Sequence, residues 1–235
     1  MKKTIGIIGE YNPEFPPHTA TNEAIQHAAK KLDLVVDFEW VSTESILSDF
    51  GSLVTKYNGF WIAPGSPYKN MGATLELIQY ARLHNIPTLG TCGGFQHMVI
   101  EFARNVLGIT DAEHAEYDPY ASRLVVNHLT CSLAGQTLKI SLKTEVLPQH
   151  KSLVYQLYNE TEAIEKYYCN FGLNPAYQAQ LHQAGFKVVG TDETDEARIM
   201  ELPAHRFYIA TLFVPQNSST FEKPHPLVSG FLSKL

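Results

Sequence analysis

"GTCGGFQH", residues 90–97, decides the fold. Upstream lies a short apolar run, "IPTLGT" (86–91). Downstream lies "GGFQHMVIEFARNVLG" (93–108), apolar at helical spacing, with Gly108 placed as a C-cap. A strand turns into a helix here, and Cys92 stands at the corner. Gly90 and Gly94 flank it as Gly-x-Cys-x-Gly, the cysteine counterpart of a Gly-x-Ser-x-Gly elbow. A sharply bent backbone leaves no room for larger neighbours. The helix start beyond it offers free N–H groups and the positive dipole end, which favour a thiolate and can hold an oxyanion. The same glycines would also suit a small residue filling a tight turn. The position between strand and helix favours a nucleophile.

Working outward, "TIGIIG" (4–9), "LVVDFEW" (34–40) and "GFWIAPG" (59–65) read as further strands. "TNEAIQHAAKKL" (21–32) and "GATLELIQYARLH" (72–84) read as helices, and "EYNPEFPPHTA" (10–20) as a polar, proline-rich loop. Short strands alternating with helices imply βαβ units and a parallel sheet. The second half differs. "RLVVNHL" (123–129) and "TLKISLKTEVL" (137–147) read as a hairpin or meander, and "NPAYQAQLHQAG" (174–185) as a short helix. "FKVVGTDE" (186–193), "ARIMEL" (197–202) and "RFYIATLFV" (206–214) read as antiparallel additions to the sheet, and "HPLVSGFLSKL" (225–235) as a closing helix. No repeat or long linker interrupts the chain, so residues 1–235 read as a single domain.

The chain has 235 residues, enough for a substantial core, with 44% hydrophobic and 18% charged residues, an ordinary globular balance. A net charge of −6 without a Lys/Arg cluster argues against nucleic acid or an anionic membrane as partner. The first apolar run is too short for a signal-peptide core. The three cysteines, Cys92, Cys131 and Cys169, lack CxxC spacing. An odd count without a leader points to free thiols in a reducing cytoplasm. Nothing calls for a metal or a cofactor.

"GFWIAPGSP" (59–67), "YARLHNIPTLGTCGGFQHMVIEFARNVLG" (80–108), "DAEHAEYD" (111–118), "NPAYQAQLHQAGFKVVG" (174–190), "ELPAHRFY" (201–208) and "PHPLVSGFL" (224–232) together resemble the glutaminase domain of CTP synthase, a class I glutamine amidotransferase. The chain also resembles a bacterial group of CTP synthase C-terminal-related (seleno)proteins. The resemblance implies a flavodoxin-like α/β fold: a central, mostly parallel sheet, helices on both faces, and antiparallel additions. It implies a nucleophilic Cys92 and an oxyanion hole from the N–H of Gly93 and of Gly65 or Ser66. Gln96 and Glu116 match residues of the family's glutamine site, Glu116 toward the α-amino group.

The resemblance breaks in two segments. Where the family has "QFHPE", this chain has "TLFVPQN" (211–217), so Val214 and Gln216 replace the triad histidine and glutamate. Valine accepts no proton and glutamine cannot orient an imidazolium. Where the family's "RHRYEVN" clamps the substrate carboxylate with arginine, "YCNFGLN" (168–174) places Asn170, with Tyr168 before it. His114, close to Glu116, is the first replacement base. Glu10, after the first strand, is the second; in the ThiJ/PfpI branch of the superfold a glutamate near that place bonds the elbow cysteine. His18 could cover the pocket, His97 lies one turn into the elbow helix, and Cys169 could meet Cys92 as a second thiol.

Three functions follow. The first is a cysteine-dependent hydrolase or transferase acting on a small amide, ester or thioester other than glutamine. The second is a binding or regulatory module without catalysis. The third is a weak glutaminase supplying ammonia to a partner synthetase. A small-molecule substrate, and a homodimer or a partner synthetase, complete the expected set.

Overall fold

The computed structural model describes residues 2–235. The strands in chain order are β1 (Lys3–Ile8), β2 (Val36–Val41), β3 (Gly59–Ile62), β4 (Thr88–Thr91), β5 (Ala112–His114), β6 (Arg123–His128), β7 (Thr137–Leu142), β8 (Glu145–Leu147), β9 (His150–Lys151), β10 (Glu162–Lys166), β11 (Phe171–Leu173), β12 (Lys187–Thr191), β13 (Ala197–Glu201) and β14 (Tyr208–Thr211). The helices are α1 (Pro16–Lys31), α2 (Ile46–Lys56), α3 (Met71–Leu83), α4 (Gly93–Asn105), α5 (Leu153–Tyr158), α6 (Pro175–Gln183) and α7 (Pro226–Leu232).

Nine strands form one sheet in the order β10-β7-β12-β13-β14-β4-β3-β1-β2. From β2 to β14 every pairing is parallel. From β14 to β10 every pairing is antiparallel. The sheet is therefore a parallel half extended by antiparallel additions, as the sequence reading expects, with the two kinds of pairing equal in number. β3 and β4 are buried at every residue, as central strands covered on both faces must be.

The expected hairpin across 123–147 does not form. β6 pairs with β5 and β11 in a separate three-stranded sheet, whereas β7 joins the large sheet. The alternation that marks a strand carries no information about its partner. α1 begins at Pro16, five residues before the expected start, because Pro16 and Pro17 occupy the first turn, where a missing N–H costs nothing. α2 is a further helix that the sequence reading passes over, although its apolar residues do fall on one face.

α4 is buried from Gly93 through Ala103, since it packs between the large sheet and the three-stranded one. A helix buried nearly all round is the result, and its polar residues Gln96, His97 and Glu101 must find partners inside. Its one deep charge, Glu101, is held by Arg82 of α3, with Nε to Oε2 at 2.9 Å and Nη2 to Oε1 at 2.7 Å. The C-terminal ends of β1, β3, β4 and β14 lie side by side and lead to Glu10, Gly65, Cys92 and Val214 respectively. This edge is where open parallel sheets place their sites.

Candidate active site at the Cys92 elbow

Cys92 has φ 52° and ψ −105°, a region a side chain occupies only when its surroundings impose it. The surroundings are visible. Its N–H donates to Thr211 O at 2.9 Å, fixing the corner to β14. A Cβ on Gly94 would lie 2.8 Å from the carbonyl carbon of Ile62, and one on Gly90 would lie 2.9 Å from the carbonyl carbon of Gly94. Both flanking glycines are thus required by close backbone approach. Cys92 itself is 6% exposed.

The loop after β3 runs beside the start of α4. A Cβ on Gly93 would stand 3.3 Å from Gly65 C and 3.4 Å from Ser66 N. The N–H groups of Gly65, Ser66 and Gly93 donate to no backbone or side-chain acceptor among the described residues. Three free donors so gathered are what an oxyanion requires. Gly65 adopts φ +93° and its open side faces His18 and Phe15. His18 accepts the Asn12 N–H on Nδ1 at 2.9 Å, so Nε2 carries the proton and donates to Pro64 O at 2.8 Å. Burial lowers its pKa below the ordinary imidazole value. His18 therefore holds the residue before Gly65 in place and has no free lone pair. The Phe15 ring meets His18 and Tyr168 edge-on at 5.0 and 5.9 Å, forming an aromatic wall on this side.

A second network ties loop to helix. His97 Nδ1 donates to Gly93 O at 2.7 Å, leaving Nε2 to accept the Tyr117 hydroxyl at 2.8 Å. The same Tyr117 oxygen accepts the Tyr68 N–H at 2.6 Å. The Tyr68 hydroxyl closes the loop on Ala63 O. Burial pushes His97 down to about 4, so it is neutral and the chain of donors has one direction. Its position four residues after Gly93 is the only trace this network leaves in the sequence.

The expected helpers hydrogen-bond to other groups. His114 accepts the Glu116 N–H on Nδ1 at 3.0 Å and donates from Nε2 to Gln96 Oε1 at 3.0 Å. Burial, then the neighbouring His97, lower its pKa to about 3. With both nitrogens engaged it orients Gln96 and has no free lone pair for a proton. Gln96 also donates to Phe171 O at 2.9 Å and accepts the Ser66 hydroxyl at 3.4 Å, linking helix, loop and β11. Glu10 accepts the Thr43 N–H at 2.9 Å and the Thr43 hydroxyl at 2.5 Å, capping the turn after β2. Asn170 is exposed and accepts the Ser132 hydroxyl at 2.6 Å. Glu116 keeps one carboxylate oxygen, Oε2, buried and unpaired.

No histidine or carboxylate among the described residues hydrogen-bonds the Cys92 sulfur. Its sulfur partner is Cys169, to which it is disulfide-bonded, with Cα atoms 6.0 Å apart. Cys169 belongs to the segment between β10 and β11, and is 2% exposed. Val214 is fully buried, its N–H spent on Lys166 O at 2.9 Å. Gln216 donates to the Thr21 hydroxyl at 3.1 Å and leaves Oε1 buried without a partner.

The profile of the class I glutamine amidotransferases matches residues 18–234. The chain is 31% identical to a CTP synthase of Saccharolobus solfataricus over 98% of its own length and 45% of that protein's. It is 35% identical to a CTP synthase of Bacteroides fragilis over 97% of its own length and 44% of that protein's. It thus spans under half the length of these relatives. Among solved structures, the Trypanosoma brucei CTP synthase glutaminase domain with bound acivicin superposes with a TM-score of 0.86 at 23% identity, covering 99% of this chain and 93% of that one. A glutamine amidotransferase of Thermotoga maritima superposes at 0.57 and 10% identity, covering 99% and 95%.

Proposed function

Since this chain belongs to the class I glutamine amidotransferase family, we propose that it is a CTP synthase glutaminase-like protein in which Cys92 performs acyl transfer on a substrate other than glutamine, a small thioester or activated ester. The observation that carries the reading is the strained Cys92 corner beside three unpaired N–H groups, with no proton donor at the sulfur. A thiolate at the start of the thirteen-residue helix α4 attacks the acyl carbon. The oxygen of the tetrahedral adduct is held by Gly93 and by Gly65 or Ser66. Collapse of the adduct then expels the leaving group. An amide must expel an amine, which leaves only when protonated, and here no imidazole stands to deliver the proton. A thiolate leaves without one. Water then attacks the acyl-Cys92 intermediate and releases the acid. His18 and the His97–Tyr117 chain act as positioning groups, fixing the donors before substrate arrives.

The test is a substrate panel assayed on fully reduced protein. Thioesters should turn over fastest, esters more slowly, and glutamine and simple amides near background, all abolished in Cys92→Ser. Glutamine turnover near ~1 per second, an ordinary enzyme rate, would overturn the reading.

A second reading rests on Glu116, whose buried, unpaired Oε2 suits an ammonium group. It makes the chain a binding module for an amino-acid-like ligand, or a weak glutaminase serving a partner synthetase. Calorimetric titration with glutamine, and with Glu116→Gln as control, separates this from the first. Binding without turnover would favour it.

A further inference from the structure

We propose that Cys92 and Cys169 form a redox-active pair that reduces small hydroperoxides, with Cys92 as the attacking thiol and Cys169 as the resolving thiol. This is an activity beyond acyl transfer, and it uses the feature of the site that acyl transfer does not: a second sulfur within bonding reach of the nucleophile.

The two sulfurs come from different elements, 77 residues apart in sequence. Their Cα separation of 6.0 Å falls inside the range of about 4.4–6.8 Å that disulfides adopt. Once the bridge is reduced, Cys169 has an acceptor at hand. Cys169 Sγ lies 3.0 Å from Leu212 O, a contact that is a hydrogen bond only when the sulfur carries a proton. The contact also assigns the roles. A carbonyl acceptor keeps Cys169 a thiol, whereas the start of α4 and the free N–H groups of Gly65, Ser66 and Gly93 favour thiolate at Cys92. The third cysteine, Cys131, is exposed and free, and takes no part.

The chemistry needs no general acid beside the sulfur. The Cys92 thiolate attacks one oxygen of the hydroperoxide. An S–O bond forms, the O–O bond breaks, and the departing oxygen takes a proton from water and leaves as an alcohol, or as water from hydrogen peroxide. The unpaired N–H groups face that developing negative charge. Cys92 is now a sulfenic acid. Cys169 loses its proton to solvent and its sulfur attacks that of Cys92. The S–S bond forms, the S–O bond breaks, and hydroxide leaves as water. Two equivalents of a small thiol return the pair to the dithiol by exchange, and are themselves joined as a disulfide. The sum is one hydroperoxide and two thiols giving one alcohol, one water and one disulfide. The size of the oxidant follows from enclosure. Cys92 and Cys169 are 6% and 2% exposed, which favours a small oxidant over a bulky one.

The test uses the full chain carrying Cys131→Ser, which leaves Cys92 and Cys169 as its thiols. Reduced protein treated with hydrogen peroxide should become lighter by two hydrogens and yield a peptide joining residues 92 and 169. With dithiothreitol as reductant it should consume peroxide continuously. Cys92→Ser should lower that rate by ~10-fold or more, the loss of the reactive thiolate. Cys169→Ser should halt the reaction at a sulfenic acid on Cys92, trapped by dimedone. The proposal is overturned if peroxide leaves Cys92 as sulfinic acid without the bridge. It is equally overturned if the bridge forms without sustained peroxide consumption, or if Cys92→Ser consumes peroxide at the parent rate. Should Cys169→Ser fail to fold, peptide mapping and peroxide consumption of the parent decide the matter alone.

Discussion

Two adjacent glycines at the start of α4 should respond to alanine in opposite ways. On Gly94 the new methyl would lie 2.8 Å from Ile62 C and 3.1 Å from Ile62 Cβ, closer still to the Ile62 carbonyl oxygen. Ile62 ends β3 in the centre of the sheet, so neither partner is a flexible side chain that can swing away. Relief requires moving α4 from β3 at the deepest part of the core. Overpacking of that kind costs about 3 kcal/mol or more, against a gain of at most about 1 kcal/mol from replacing glycine in a helix. A net loss of about 2 kcal/mol or more is a large share of an ordinary 5–15 kcal/mol. With a urea slope of about 2–3 kcal/mol/M, the midpoint should fall by roughly 1 M. On Gly93 the methyl meets Gly65 and Ser66 backbone at 3.3 and 3.4 Å, tight but within what a loop can yield. Gly93→Ala should stay within about 1 kcal/mol of the parent, yet displace the donors beside Cys92 and lose Cys92-dependent turnover. The assays are urea melts followed by far-UV circular dichroism, with thioester turnover measured on each folded variant. Gly94→Ala as stable as the parent would refute the packing argument. Gly93→Ala with unchanged turnover would refute the role given to that loop.

Acidification should destabilise the protein. Burial holds His97 at about 4 and His114 at about 3, below the 6.5 they regain on unfolding. Their contribution is complete above about pH 6.5 and is lost as pH falls toward those folded values, because the unfolded chain then binds protons the folded chain refuses. At pH 5 each costs about 2 kcal/mol, so the urea midpoint should be clearly lower than at pH 7; equal midpoints would contradict the sign. Arg82→Ala should cost about 3–5 kcal/mol by leaving the fully buried Glu101 carboxylate without its cation. Chemical melts read the loss, and a change under 1 kcal/mol would show the pair to be dispensable. His18→Ala should lower Cys92-dependent turnover about tenfold or more through a loosened Gly65, and leave the pH profile otherwise unshifted. A flattened acid limb would instead make His18 a proton-transfer group.

The elbow was legible because its requirements are local. Gly90, Cys92 and Gly94 must be adjacent in sequence to be adjacent in space, and an apolar strand before and a periodic helix after leave one way to connect them. The same holds for β1, β3 and β4, whose short runs are bounded by turn or helix signals and carry no charge at a buried position. What failed was pairing. β6 and β7 show strand patterns, but hydrogen-bond partners are chosen by tertiary packing, and the intervening turn gives no sign that the chain changes sheets. The partners of the helper residues were illegible for a related reason. His114 and Glu10 follow the right elements and end near the right edge, but a side chain's use depends on which neighbours take its lone pairs. His114 spends both nitrogens on Glu116 and Gln96, and Glu10 turns one carboxylate oxygen to Thr43. Cys169 could be named as a second thiol, yet its nearness to Cys92 depends on β10 and β11 belonging to different sheets, which no window of sequence records.

The two chemistries assigned to Cys92 share one cause. A histidine after β14 would make the cysteine a nucleophile for amides, since it takes the thiol proton and returns it to the leaving amine. With Val214 buried there and its N–H bound to Lys166 O, that return path is closed. What survives is what the backbone supplies by itself: a helix start that stabilises the thiolate and unpaired N–H groups that stabilise a departing or developing oxyanion. Reactions that need only those two things are those whose leaving group departs without a delivered proton. Thioester cleavage is one, with a thiolate leaving. Hydroperoxide reduction is another, with an oxygen leaving from a weak O–O bond. On the proposed reading amide hydrolysis is slow, because its amine leaving group needs a delivered proton. Reductant separates the two remaining paths. In the dithiol state Cys92 is open to an acyl donor, and in the bridged state it is not. Thioester turnover should therefore vanish when the pair is oxidised and return in full on adding dithiothreitol. Undiminished turnover by the bridged protein would mean that the acyl chemistry does not use Cys92.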